Sequence, residues 1–148
     1  MSDSIYKIIP TDPYIKVPHD KLNAAKAYIE ETIVSDSVDL VFVDSPKFID
    51  CGGELEVITC PRCGKTISFD WWQDAMSNAY EENFDKLDII LPCCGEASSL
   101  NDLRYDFKCG FACCGINVMN PKKAIDDTLI EAIQKILDCE ISIIFARY

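Results

Sequence analysis

Gly115-Ile116-Asn117-Val118-Met119, then Asn120-Pro121, then residues 122–140, then Ile141-Ser142-Ile143-Ile144-Phe145 is the stretch that decides the fold. Its two flanking pieces are short and rich in β-branched or apolar residues, which favours strands. Between them Ile125, Leu129, Ile133, Ile136 and Leu137 recur at the period of a helix with one buried face. Asn120-Pro121 can stop the first strand and open the helix, because proline is tolerated in a helix's first turn. Asp126 and Asp127 then lie near the positive end of that helix.

The same order stands at the other end of the chain. Ile5-Tyr6-Lys7-Ile8-Ile9 reads as a strand, and Pro10, Pro13 and Pro18 punctuate the connection after it. Asp20 can cap a helix whose apolar face is Leu22, Ala25, Ile29 and Ile33. Asp39 to Asp44, through Leu40-Val41-Phe42-Val43, reads as a buried strand. The expected class is therefore α+β. Two βαβ halves would form a ferredoxin-like antiparallel sandwich, with two helices on one face of a four-stranded sheet. Residues 1–50 are the first half and residues 111–148 the second. Residues 51–110 lie between them as an inserted segment.

That segment holds Cys51, Cys60, Cys63, Cys93, Cys94 and Cys109, six of the nine cysteines. An odd count without a secretory signal argues against a disulfide framework. Met1 to Pro10 has neither a basic region nor a long apolar run, so no such signal is expected. In a reducing cytoplasm, clustered cysteines point to metal. Cys60-Pro61-Arg62-Cys63-Gly64 is the sharpest signal. Two cysteines separated by two residues can aim both sulfurs at one ion, about 2.3 Å from each. Pro61 pre-sets the turn and Gly64 tolerates its exit. Residues 54–59 and 65–69 flank the pair as arms of a hairpin. A disulfide oxidoreductase would instead place its CxxC at the start of a helix.

Leu91-Pro92-Cys93-Cys94-Gly95 keeps the proline and glycine, but Leu91 stands where the first cysteine belongs. Cys93, in the same tight turn, is the natural replacement. The expected site is Cys60, Cys63, Cys93 and Cys94, a closed four-thiolate set that suits structural zinc rather than catalysis. Cys109 is the alternative fourth ligand, with Cys51 and Cys114 behind it. A vicinal disulfide between Cys93 and Cys94 is the competing redox reading. Cys139 reads as core. Cys113-Cys114 reads as packing, or as a second metal or redox pair.

The paired turns resemble the knuckles of zinc ribbons in transcription and ribosomal proteins. The longer run Cys60-Pro61-Arg62-Cys63-Gly64, Pro92-Cys93-Cys94-Gly95, Ser99-Leu100-Asn101-Asp102-Leu103-Arg104-Tyr105, Gly110-Phe111-Ala112 and Asn120-Pro121 resembles a group of uncharacterised bacterial proteins. The resemblance spans roughly residues 54–148. It implies a bacterial cytoplasmic protein with a zinc-ribbon module and brings no activity with it. Cysteines at 113 and 114 are not expected in that group.

Charge narrows the function. The net charge is −11, and residues 50–110 carry twelve acidic against five basic side chains. Nucleic-acid affinity comes largely from Lys and Arg displacing counterions, so this balance argues against it. No apolar run approaches the roughly 20 residues that span a bilayer. An enzyme would need a base, a nucleophile or an open metal. His19, the one histidine, reads as a surface or capping residue. Gly52-Gly53 reads as a hairpin turn rather than a phosphate loop. Asp102, Arg104, Tyr105 and Asp106 could make a polar pocket with Asp70, or a local salt-bridged turn. A protein-binding or regulatory module, such as an immunity protein or adapter, fits better. Trp71, Trp72, Tyr80 and Phe84 lie on or just beyond one short helix expected from Trp71 to about Glu82, capped by Asp70. Neighbouring side chains point about 100° apart on a helix, so the two Trp residues cannot share one core. One must meet another element or solvent and offer an interface anchor for a protein partner.

Overall fold

Alternation along β1 (Ser4–Pro10) sends Ile8 and Ile9, both buried, to opposite faces of a sheet. The computed structural model describes residues 3–53 and 55–148. After β1 comes α1 (His19–Thr32), which buries Leu22, Ala25 and Ile29. Asp20 is not its cap: the helix starts after Pro18, whose carbonyl accepts from Lys21 and Leu22. Asp20 sits in the first turn, where a carboxylate meets the positive helix end. His19 is exposed at this start, its ring 4.5 Å from that of Phe42.

β2 (Ser37–Ile49) runs well past the expected Asp44. It passes through Ser45-Pro46 because it is an edge strand and its register shifts between Phe42 and Lys47. Proline, which has no N–H to give a ladder, is tolerated at such irregular edges. The middle segment follows as β3 (Ile58–Thr59), β4 (Thr66–Ile67), α2 (Phe69–Glu81), β5 (Asp88–Ile90), β6 (Ala97–Ser99) and β7 (Arg104–Tyr105). Ser68, not Asp70, caps α2, its hydroxyl accepting from the Trp71 N–H at 3.2 Å. The chain closes with β8 (Gly110–Met119), α3 (Asp127–Leu137) and β9 (Ile141–Arg147). Asp126 caps α3 by accepting from the Leu129 N–H at 2.8 Å.

Four strands form one sheet in the order β2-β8-β1-β9, with every neighbouring pair antiparallel. α1 and α3 pack together with Ile8, Cys114, Ile116 and Val118 in the largest core cluster. The α+β class holds. β8 begins five residues before the expected Gly115, so Cys113 and Cys114 lie buried inside a central strand.

A second cluster joins Ile58, Leu91, Leu100 and Leu103 to Phe111 of β8, with Phe48 of β2 against it. It seats the middle segment on the sheet. Gly52 is not a hairpin turn. At a φ of +83° it forms a parallel bridge with Arg147, and a Cβ there would meet the Arg147 carbonyl oxygen. Only glycine allows that approach at that backbone angle.

Candidate metal centre

Two turns of the same design build the site. In the first, the Cys60 N–H donates to Lys65 O at 2.8 Å and the Gly64 N–H to Cys60 O at 3.1 Å. In the second, the Leu91 N–H donates to Glu96 O and the Gly95 N–H to Leu91 O, each at 2.9 Å. Gly64 and Gly95 sit at φ +78° and +74°, the left-handed region where glycine carries no steric cost. The arms of the first turn are shorter than expected, two residues each in β3 and β4, and those of the second are three each in β5 and β6. By these hydrogen bonds Leu91 occupies the position of Cys60, Cys93 that of Arg62, and Cys94 that of Cys63. Cys60 and Leu91 are both buried.

The sulfurs of Cys60, Cys63, Cys93 and Cys94 all lie within 4.8 Å of one another. Cys60 Sγ is 3.9 Å from Cys94 Sγ, and Cys63 Sγ is 3.2 Å from Cys93 Sγ. Four sulfurs about 2.3 Å from a tetrahedral ion would stand about 3.8 Å apart. The cluster is close to that spacing, so these four cysteines could hold one metal ion.

The turn also prepares charge. Burial pushes the Cys60 thiol up, but the N–H groups of Cys63 and Arg62, each 3.3 Å from its sulfur, outweigh it and bring the thiol down to about 6. Cys93 moves the other way, to about 12, because Cys63 hydrogen-bonds its neutral form and burial adds to the effect. Without a cation, four crowded thiols do not ionise together. A bound cation reverses that balance, since its charge deprotonates coordinating thiols outright.

The other cysteines stand elsewhere. All nine are free thiols, so Cys93 and Cys94 are not joined. Cys51 and Cys109 are buried beside each other, outside the four-sulfur cluster, and burial pushes both thiols up. Cys114 donates its thiol to Ile15 O at 3.6 Å. Cys139 is half-buried against the main core. None of the three alternative ligands joins the cluster.

The polar pocket around Asp102 and Arg104 does not form, because its members point apart. Tyr105 turns inward, donating to Leu100 O at 2.7 Å and accepting from Trp72 Nε1 at 3.2 Å. Asp106 accepts the backbone N–H groups of Glu56 and Phe107. Asp70, Asp102 and Arg104 are exposed, and no ion pair joins them among the described residues. Contrary to expectation the two Trp residues share one core, both half-buried against the cluster of Ile58, Leu91 and Phe111, although their contacts differ. Trp72 packs against Phe48, Phe69 and Tyr105, while Trp71 is half-buried in a groove beside β5.

Sequence reasoning missed one polar network. Lys7, 8% exposed, donates to Asp50 Oδ1 at 3.0 Å and to the Tyr148 hydroxyl at 2.7 Å, and that hydroxyl donates to Asp50 Oδ2 at 2.7 Å. The signal was a lone charge inside an otherwise apolar strand. No family model matches the chain, and neither curated proteins nor solved structures give a match. No helix among the described residues is long and apolar enough to cross a membrane.

Proposed function

We propose that the chain is a zinc-stabilised protein-binding module, a ferredoxin-like sandwich carrying an inserted zinc ribbon. The observation that carries this is the four-sulfur cluster of Cys60, Cys63, Cys93 and Cys94. An all-thiolate tetrahedral set suits zinc or iron, and with four protein ligands it leaves no position for substrate. Its role is then structural, and metal binding adds directly to folding free energy. The sheet order and the two βαβ units support the sandwich reading. The paired knuckles support the ribbon, and nine free thiols fit a reducing, cytoplasmic setting. The binding role rests on the acidic middle segment, where Tyr80 is 69% and Ile90 64% exposed.

Elemental mass spectrometry of the purified protein, paired with a thiol count after denaturation, tests the reading. One zinc per chain with nine free thiols is the expected result. Iron would change the metal and keep the site. No metal, with thiols missing, would overturn the ribbon and make Cys63 and Cys93 a redox pair.

A further inference from the structure

Among the described residues β5 has a single partner strand, β6. Leu91 donates its N–H to Glu96 O at 2.9 Å, and Leu100 donates to Leu87 O at 2.8 Å. In an antiparallel ladder, residues between such rungs turn their own N–H and C=O groups away from the partner. Here those residues are Asp88 and Ile90, which stand opposite Ser99 and Ala97. Their backbone groups form an open strand edge, the kind that recruits another strand.

This edge borders a groove of about 400 Å³ shared with α2. Trp71 and Asp74 line it from the helix and Glu82 from the residue that ends it; Lys86, Asp88 and Ile90 line it from the other side. Three carboxylates therefore face one ammonium around an apolar floor. We infer that the groove accepts an extended segment of another protein, lysine- or arginine-bearing with apolar residues between, as a third strand beside β5. This inference rests on the protein-binding reading above.

The observations choose the occupant. Backbone hydrogen bonds from Asp88 and Ile90 supply register and affinity without regard to sequence, as in other strand additions. Asp88 and Ile90, two residues apart, share one face of β5. A strand laid beside it can set a basic side chain against Asp88 and, two residues along the same face, an apolar one against Ile90, while other basic ones reach Asp74 and Glu82. A second copy of this chain would bring the same carboxylates face to face, which is repulsive. Phosphate would be repelled for the same reason.

The test uses the full metal-loaded chain and a short fluorescent peptide of repeating Lys-Lys-Val-Val, which presents lysine and valine in turn along each face. Binding is read by anisotropy, and the amides of Asp88 and Ile90 by NMR. Both amides are expected to shift and to gain exchange protection. Affinity should fall about tenfold in the Asp74→Lys, Asp88→Lys double variant, whose changes are on exposed side chains. It should be lost for a peptide N-methylated on its edge-facing amides. Ile90→Pro removes an edge donor that β6 does not use, and should also abolish binding. Equal binding of a glutamate–valine peptide, or indifference to N-methylation, would overturn the inference. Full metal content with no peptide binding would overturn the groove and leave the zinc reading in place. Binding by a chain without metal would keep the groove and overturn the zinc reading.

Discussion

At Leu91 the second turn carries a core side chain where its twin carries a thiol, and its sulfur has moved two residues on, to Cys93. The hydrogen bonds of the two turns make this an exchange of positions within one backbone. Cys93→Ser is therefore expected to drop metal content well below one ion per chain, measured by elemental analysis. Adding Leu91→Cys to that variant should restore much of it, because residue 91 holds the place of Cys60. Gly95→Ala should keep the metal but lower stability by about 1 kcal/mol, from the left-handed backbone at φ +74°. The Lys7, Asp50 and Tyr148 network gives a pH signature. Burial pushes Asp50 up, but the Tyr148 hydroxyl and Lys7 outweigh it and hold the carboxyl below its usual range. Burial pulls Lys7 down, but its bonds to Tyr148 and Asp50 leave it raised. The Asp50 contribution is thus present above about pH 4 and lost as pH falls through the lowered folded value. The Lys7 contribution is present below about pH 10.4 and lost as pH rises through its raised value. Tyr148→Phe should cost about 1 kcal/mol near neutral pH, a modest figure because Asp50 is half exposed. Urea titrations should show that gap closing at strongly acid pH. The CxxC turn was legible because its spacing alone aims two sulfurs at one point. Lys7 was not, because the residues that satisfy it stand 43 and 141 positions away.

Among the elements, α3 shows how far local chemistry reaches. Its apolar period was in the sequence, and Leu129, Ile133 and Leu137 are buried as the period requires, but the helix starts after Asp126 rather than at Asn120-Pro121, so Ile125 lies ahead of it. Asp126→Ala, which removes the bond to the Leu129 N–H, is expected to cost about 1 kcal/mol by thermal or urea unfolding. α1 and α2 were legible as helices, but their starts were not. The first turn of each also offered an aspartate, Asp20 and Asp70, while the backbone chose Pro18 and Ser68. β2 and β8 were read short for a related reason. Ser45-Pro46 and Gly110-Phe111-Ala112-Cys113-Cys114 lack strand-like patterning, and these lengths pair only because the two strands support each other from Ser37 against Met119 to Ile49 against Gly110. Long-range pairing of this kind overrides local preference.

Across the whole molecule, the two larger core clusters divide most of the packing, and a smaller third joins Ile9, Ile49, Cys51, Ala112 and Ile144. One of the larger two lies between the helices α1 and α3 and the four-stranded sheet, the other beneath the two cysteine turns. If the four cysteines hold structural zinc, chelation should unfold the two parts unequally. Hydrogen exchange after chelator treatment is expected to strip protection from residues 58–105 while Ile8, Ile116 and Ile144 amides stay slow. Uniform loss of protection would mean that the sheet itself depends on the metal. The βαβ order was legible from two apolar patterns. The seat of the middle segment was not, since Phe48 and Phe111 lie in strands whose reach had been underestimated. One feature of the ladder bears on ancestry. Ile49 and Gly110 are partners on its last rung, and all that lies between them leaves and returns there. Lineages could therefore lengthen or exchange the cysteine-bearing loop beyond Gly52 as one unit, keeping Asp50 against Lys7 and the order of the four strands, so this segment is where relatives would diverge first.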